Sequence, residues 1–285
     1  MNSENNFNEL LTAYFNVKYS YICFSMSTHT FYKYQGTGND FVMIDNRLSV
    51  FDTNNSLLIA HLCNRRIGVG ADGLILLESD PNYDFKMVYF NADGQQSSMC
   101  GNGGRCIVAF AHFLGIIQDE AHFLAIDGLH SAVYDNGYIE LKMQDVLSVF
   151  SKEDYFILDT GSPHYVSLKT NLDSLDMASE GALVRYSEPF KSSGVNVNFA
   201  KKINADTFAV RTYERGVEAE TLSCGTGSTA VAIAMFHSGQ STSKVMNLKT
   251  LGGDLVVRFE PLSSSYSNVW LCGAAVQVFK GTLEW

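Results

Sequence analysis

Short β-like runs, largely apolar, alternate along the chain with turns punctuated by Gly, Asn and Asp. They fall at 31–34, 41–44, 73–77, 85–90, 139–141, 156–158, 165–168, 208–212, 255–259 and 275–279, and that length and punctuation predict β-strands. Two stretches break the pattern, at 104–114 and 228–236. Each is apolar nearly all the way round, which predicts a helix buried on every side rather than one lying on a surface. Each ends near a glycine, Gly115 or Gly239, a common helix stop.

The two helices share an unusual start. Cys100-Gly101-Asn102-Gly103 leads into the first and Cys224-Gly225-Thr226-Gly227 into the second. Asn91 stands nine residues before Cys100, and Arg215 nine before Cys224. Asn39, in a Gly-led turn, precedes Cys100 by 61 residues; Ser162, in another, precedes Cys224 by 62. Spacing of this kind points to a duplication. It predicts an α/β (α+β) chain of two pseudo-symmetric domains, each with a central buried helix and with the active site in the cleft between them. The expected division is 29–144 plus 274–285 for one domain and 145–273 for the other. Residues 1–28 carry no clean apolar run behind a basic stretch, so they read as an extension outside the fold or as an upstream start, not as a signal peptide.

Composition narrows the function. The 285 residues are 46% hydrophobic and 18% charged, with a net charge of -10. No basic cluster suggests nucleic acid, and no apolar stretch is long enough to span a membrane as a helix. The six cysteines form no C-x-x-C pair, which argues against a zinc ribbon or a thioredoxin-like motif. Reduced thiols in a cytoplasmic protein are the expectation, with Cys23, Cys63, Cys106 and Cys272 as packing.

Cys100 and Cys224 read differently. A cysteine at a helix N-terminus sees the positive end of the dipole and unpaired N–H groups, which favour thiolate. The following glycines let a ligand approach the backbone, and such a start also binds carboxylate. Two facing elements of this type suit racemisation. One thiolate removes an α-proton from one face, and the other thiol protonates the opposite face. Two helix starts aimed at the α-carboxylate would stabilise the carbanion, so no cofactor and no metal are expected.

Competing motifs are weaker. Gly68-x-Gly70-x-x-Gly73 and Gly225-x-Gly227-x-x-Ala230 match dinucleotide fingerprints literally. The first leads into a strand instead of a helix, and the second follows a polar turn. There is no Walker A motif, and no lysine for pyridoxal lies within these elements. Taken singly, Asn39, Asn91 and Asn196 read equally as turn residues, His164 as incidental, and Glu214-Arg215 as a solvated pair.

Taken together they do not. Gly36-Thr37-Gly38-Asn39-Asp40-Phe41, Arg66-Ile67-Gly68-Val69-Gly70-Ala71-Asp72-Gly73, Phe90-Asn91-Ala92-Asp93-Gly94, Cys100-Gly101-Asn102-Gly103, Gly161-Ser162-Pro163-His164, Val195-Asn196-Val197 and Tyr213-Glu214-Arg215-Gly216, followed by Cys224-Gly225-Thr226-Gly227, occur in this order from about Phe31 to the C-terminus. The chain thereby resembles the diaminopimelate epimerases. The resemblance implies pyridoxal-independent interconversion of LL- and meso-diaminopimelate, a step in lysine and peptidoglycan synthesis. It implies that each domain is a β-barrel-like strand layer around its helix. It assigns Cys100 and Cys224 to acid/base catalysis, and Gly101, Asn102, Gly225 and Thr226 to the reacting carboxylate. Asn39, Asn91, Asn196 and Arg215 would hold chiefly the distal end of the substrate, where a planar guanidinium can grip a carboxylate in two places. Glu214 and His164 would stand beside the reacting centre.

Two positions depart from the family pattern. Ser162 replaces an asparagine of many members, and Gly73 a glutamine of some. Proline racemases and hydroxyproline epimerases also use two cysteines, but a cyclic substrate with one carboxylate would not need Arg215 and the asparagines. A phenazine-pathway isomerase lacks the cysteine pair, and a non-catalytic binding protein would not need it. Diaminopimelate is the expected small-molecule partner, with a homodimer left open.

Overall fold

A computed structural model describes residues 28–97 and 99–284; residues 1–27, with Cys23 and most of the expected N-terminal extension, lie outside the described residues. The first half runs β1 (Thr28–Gly36), β2 (Asn39–Asp45), α1 (Ser56–Cys63), β3 (Gly73–Glu78), β4 (Phe85–Asn91), α2 (Gly101–Phe113), β5 (Glu120–Ala125), β6 (Gly128–Asp135) and β7 (Tyr138–Lys142). The second runs β8 (Val149–Ser151), β9 (Phe156–Asp159), β10 (Pro163–Leu168), α3 (Met177–Arg185), β11 (Asn196–Lys202), β12 (Thr207–Glu214), β13 (Ala219–Thr221), α4 (Gly225–His237), β14 (Val245–Thr250), β15 (Gly253–Pro261), β16 (Tyr266–Ala274) and β17 (Val276–Glu284).

The strand pairings repeat. β1 lies antiparallel to β2, β2 parallel to β3, β3 antiparallel to β4 and β4 parallel to β5. In the second half β9 lies antiparallel to β10, β10 parallel to β11, β11 antiparallel to β12 and β12 parallel to β14. The antiparallel series β5-β6-β7 matches β14-β15-β16. A short helix fills the second connection of each half, and a long buried helix stands before β5 and β14. The duplication signalled by two C-G-x-G elements thus extends through the topology. β7 and β16 pair with each other and join the halves into one continuous sheet. The strand layers are therefore barrel-like in wrapping a helix, but they do not close.

Every run read as a strand falls in one, apart from Ala275 just before β17. The sequence reading missed β5, β6, β8, β11, β13, β14 and β16, and the short helices α1 and α3. Several of these are cut by polar or small residues, as in Gly128-Leu129-His130-Ser131, and their pairing is set by neighbours distant in the chain.

α2 is buried from Gly101 to Ala111, and α4 at every position from Gly227 to Met235. α2 packs on β2, β3, β4, β6, β7 and β16, and α4 on β9 to β12 and β14 to β16. Each fully buried Ile, Val or Phe contributes on the order of 1.5–3 kcal/mol, and Ile107, Val108, Phe110, Val231 and Ile233 are all at 0% exposure. This burial fixes each helix as an axle and so fixes where its N-terminus points. Both helices begin three residues earlier than the apolar pattern suggested, because Gly101 and Gly225 already belong to the first turn.

Candidate active site

Cys100 and Cys224 are the N-caps of α2 and α4. The Cys224 Sγ accepts from the Gly227 N–H at 3.4 Å and lies 3.4 Å from the Thr226 hydroxyl. The Cys100 Sγ lies 3.5 Å from Asn39 Oδ1. Both thiols line one cavity of about 850 Å³, together with Gly101, Asn102, Gly225 and Thr226.

The two helix starts meet head to head. A Cβ built on Gly101 would stand 3.6 Å from the Gly225 Cα, and one built on Gly225 would stand 3.5 Å from the Gly101 Cα. Beneath both, Leu271 Cδ2 leaves only 3.0 and 2.7 Å for such a carbon. Two helix starts, each with first-turn N–H groups outside the helix ladder, and two positive dipole ends therefore converge on one small volume. Such an arrangement can bind a carboxylate.

On the first side, Asn102 Nδ2 donates to the Ser223 carbonyl at 3.2 Å and to Asn39 Oδ1 at 3.4 Å. Asn39 Nδ2 donates to Asp72 Oδ2 at 2.5 Å. Asp72 and Asp40 share the Arg65 guanidinium, and Lys33 also pairs with Asp40 at 2.8 Å. Burial alone would raise the Asp40 carboxyl; hydrogen bonds from Arg65 and Lys33 bring it down to about 2 instead.

On the second side, one chain of bonds fixes every amide. The Arg215 N–H donates to Asn196 Oδ1 at 2.9 Å, so Asn196 Nδ2 faces Ser162 Oγ at 3.1 Å. Thr212 donates to Asn198 Oδ1 at 2.9 Å, so Asn198 Nδ2 donates to His164 Nδ1 at 3.1 Å. The proton of His164 is then on Nε2 and points to Ser162 Oγ, 3.0 Å away. Ser162 Oγ accepts twice, and its own hydrogen is left for the cavity.

Asn39, Asn91, Ser162, Asn196, Glu214 and Arg215 all line the cavity. His164 does not; it is fully buried behind Ser162, and burial together with the nearby Arg215 lowers its pKa to about 3. It is neutral, and its contact toward the cavity is with Ser162. Gly73 does not line the cavity either. A Cβ there would meet the Phe90 carbonyl at 2.5 Å and the Tyr89 ring at 2.6 Å. Tyr89 does line the cavity, so the bare Gly73 makes room for Tyr89. Sequence reading missed Tyr89, and also Asp72 behind Asn39; neither carries a local signal beyond lying beside a motif residue.

One expectation fails. A helix N-terminus favours thiolate, yet both thiols are pushed up. For Cys100 desolvation outweighs hydrogen bonds from the Gly103 and Asn102 N–H groups. For Cys224 desolvation leads, and the charge of Glu214 adds to it. Desolvation also raises Glu214 itself. Burial wins over the dipole here. The other described cysteines, Cys63, Cys106 and Cys272, are free and buried, pushed by burial to about 12, 12 and 11.

The family model of diaminopimelate epimerase matches residues 31–145 and 156–271. A diaminopimelate epimerase of Flavobacterium psychrophilum is 53% identical over 253 residues, covering 88% of this chain and 99% of its own. One of Chlorobaculum tepidum is 41% identical, covering 87% and 98%. Among solved structures, a phenazine biosynthesis protein of the PhzF family from Bacillus anthracis superposes with a TM-score of 0.68 at 12% identity, covering 90% of this chain and 99% of that one. A hydroxyproline epimerase from Agrobacterium vitis, with bound trans-4-hydroxy-L-proline, gives 0.66 at 14% identity, covering 90% and 91%. These two likenesses show the shared fold.

Proposed function

The chain belongs to the diaminopimelate epimerase family and is an isomerase, and we propose that Cys100 and Cys224 carry its reaction, the interconversion of LL- and meso-diaminopimelate without pyridoxal phosphate. The observation that carries this reading is the head-to-head meeting of the Gly101 and Gly225 helix starts, each capped by a cysteine. The reacting carboxylate sits where the N–H groups of both helices converge, and its α-carbon lies between the two sulfurs. One thiolate takes the α-proton: the C–H bond breaks, an S–H bond forms, and the electron pair spreads into the carboxylate. The other thiol then gives its proton to the opposite face and becomes the thiolate.

The N–H groups serve the transition state more than the ground state, because charge on the carboxylate grows as the proton leaves. Removing one such donor commonly costs about 10²–10³ in rate. The raised thiols add one step to this scheme: one sulfur must first lose its proton to solvent, and the site then works with one thiolate and one thiol.

Arg215, Asn91 and Asn196 hold the distal amino and carboxylate groups. Asn196 receives the Arg215 N–H, and Arg215 NH1 donates to the Ser193 carbonyl at 3.1 Å, so the guanidinium is oriented before substrate arrives. This distal grip favours diaminopimelate over a proline-like ring, which has one carboxylate. Among the described residues no helix is long and apolar enough to cross a membrane. A role in lysine precursor supply supports a cytoplasmic enzyme.

The test is direct. LL-diaminopimelate incubated without pyridoxal phosphate should give the meso isomer, and Cys100→Ala and Cys224→Ala should each abolish it with the fold intact. Acid/base groups commonly contribute about 10²–10⁴-fold; a variant near parental activity would remove that cysteine from the reaction.

A further inference from the structure

Arg105 lies one turn into α2 and is fully buried. Its guanidinium donates to three neutral acceptors: NH1 to the Gly101 carbonyl at 3.3 Å, and NH2 to Thr37 Oγ1 and Asn102 Oδ1, both at 3.1 Å. Its Nε has no partner among the described residues. Among the described residues it forms no ion pair with a carboxylate, and the titratable groups that act on it most are Cys106, Cys100, Cys272 and Tyr138. A buried charge without a counter-ion is expensive, and proteins ordinarily pair it. Every other buried or half-buried cation near the site has an acidic partner: Lys33 has Asp40, and Arg185 has Glu218.

What Arg105 touches explains the exception. Gly101 and Asn102 form the helix start proposed to receive the reacting carboxylate, and Asn102 Oδ1 is held by Arg105 while its Nδ2 reaches the cavity side, toward Asn39 and Ser223. The charge of Arg105 acts on Cys100 in favour of the thiolate, and that of Glu214 acts against it.

We propose that Arg105 is a positioning residue whose missing counter-charge is the one that develops in the site, on the Cys100 sulfur and on the substrate carboxylate, and that it holds the Asn102 carboxamide in its cavity-facing orientation. This rests on the reaction proposed above. Its single positive charge sits fully buried behind the turn and adds to the helix dipole. It offsets part of the desolvation that keeps Cys100 protonated. It also orients Asn102 without entering the cavity itself, so it touches neither substrate nor the reacting atoms.

The test reads the Cys100 thiol directly. Wild type, Arg105→Met, Arg105→Gln and Arg105→Lys are alkylated with iodoacetamide across a pH series, and Cys100 modification is followed by peptide mass mapping. Both neutral variants should shift the apparent alkylation pKa of Cys100 up, the effect of losing a nearby opposite charge. Each unit of that shift is roughly tenfold less thiolate at a given pH. Their kcat/KM profile should move to higher pH in step, and Arg105→Lys should return both toward wild type. An unchanged alkylation pKa in the folded neutral variants overturns the proposal. So does loss of the folded state in both neutral variants, which would make Arg105 a structural strut. Failure of the reaction itself is separable: active Cys100→Ala would remove Cys100 from catalysis, whereas the alkylation shift needs no turnover.

Discussion

Gly101 and Gly225 approach so closely that a methyl group on either would touch the other's Cα, with Leu271 packed below both. Neither position can take a side chain without moving a helix start or Leu271. Gly225→Ala should leave the fold intact and lower kcat/KM, by about 10²-fold if the start moves by roughly 1 Å. The double variant Gly225→Ala, Leu271→Ala should recover part of the loss, since it frees the 2.7 Å contact. No recovery in steady-state assays would show that Leu271 does not set the spacing.

Two fixed sulfurs predict how hydrogen moves. Run in D₂O from LL-diaminopimelate and stopped early, the reaction should place deuterium at the inverted carbon of the meso product. The remaining LL substrate should keep its hydrogen, and the distal carbon should gain none. Early product that retains the original hydrogen, seen by mass spectrometry and proton NMR, would mean a single base.

Activity should depend on pH as the raised thiols require. Burial leaves both cysteines protonated at neutral pH in the free enzyme, so kcat/KM should climb as pH rises above neutral and the first sulfur ionises. His164, neutral down to about pH 3, should contribute no step near pH 6.5. A kcat/KM profile that is flat above pH 6 would contradict the desolvation argument.

Arg215→Met should weaken substrate binding, because a charge-assisted hydrogen bond typically contributes about 1.5–3 kcal/mol. Calorimetric titration with diaminopimelate checks it. If affinity barely changes, the distal carboxylate is held elsewhere.

The Asp40 cluster should set acid stability. A carboxyl held near 2 stabilises the fold above its unfolded value of about 3.9, and that contribution is lost as pH falls through the folded value. Asp40→Asn leaves Lys33, which is 5% exposed, without its carboxylate. Its melting temperature should therefore drop at pH 7 and vary less than wild type between pH 5 and pH 2. Parallel melting curves for the two proteins would refute this.

Much of the site was legible because its signals are local. A cysteine, two glycines and an apolar run specify a buried helix with a capped start whatever surrounds them, and two copies at matched spacing from Asn91 and Arg215 specify the repeat. The sequence by itself thus determined the pair of helix starts, the chemistry they permit and the family. Tertiary structure decided what depends on neighbours distant in the chain. Thiol ionisation went against the local expectation because desolvation comes from the whole wall of the cavity, and the helix dipole only from one turn. Gly73 and Tyr89 exchange space across a strand pair, His164 is withdrawn behind Ser162 by the β10–β11 pairing, and Arg105 is left unpaired by the packing of β1 and β16 against its helix. No window of sequence contains those contacts, since each is a balance between burial and partners that only the assembled fold brings together.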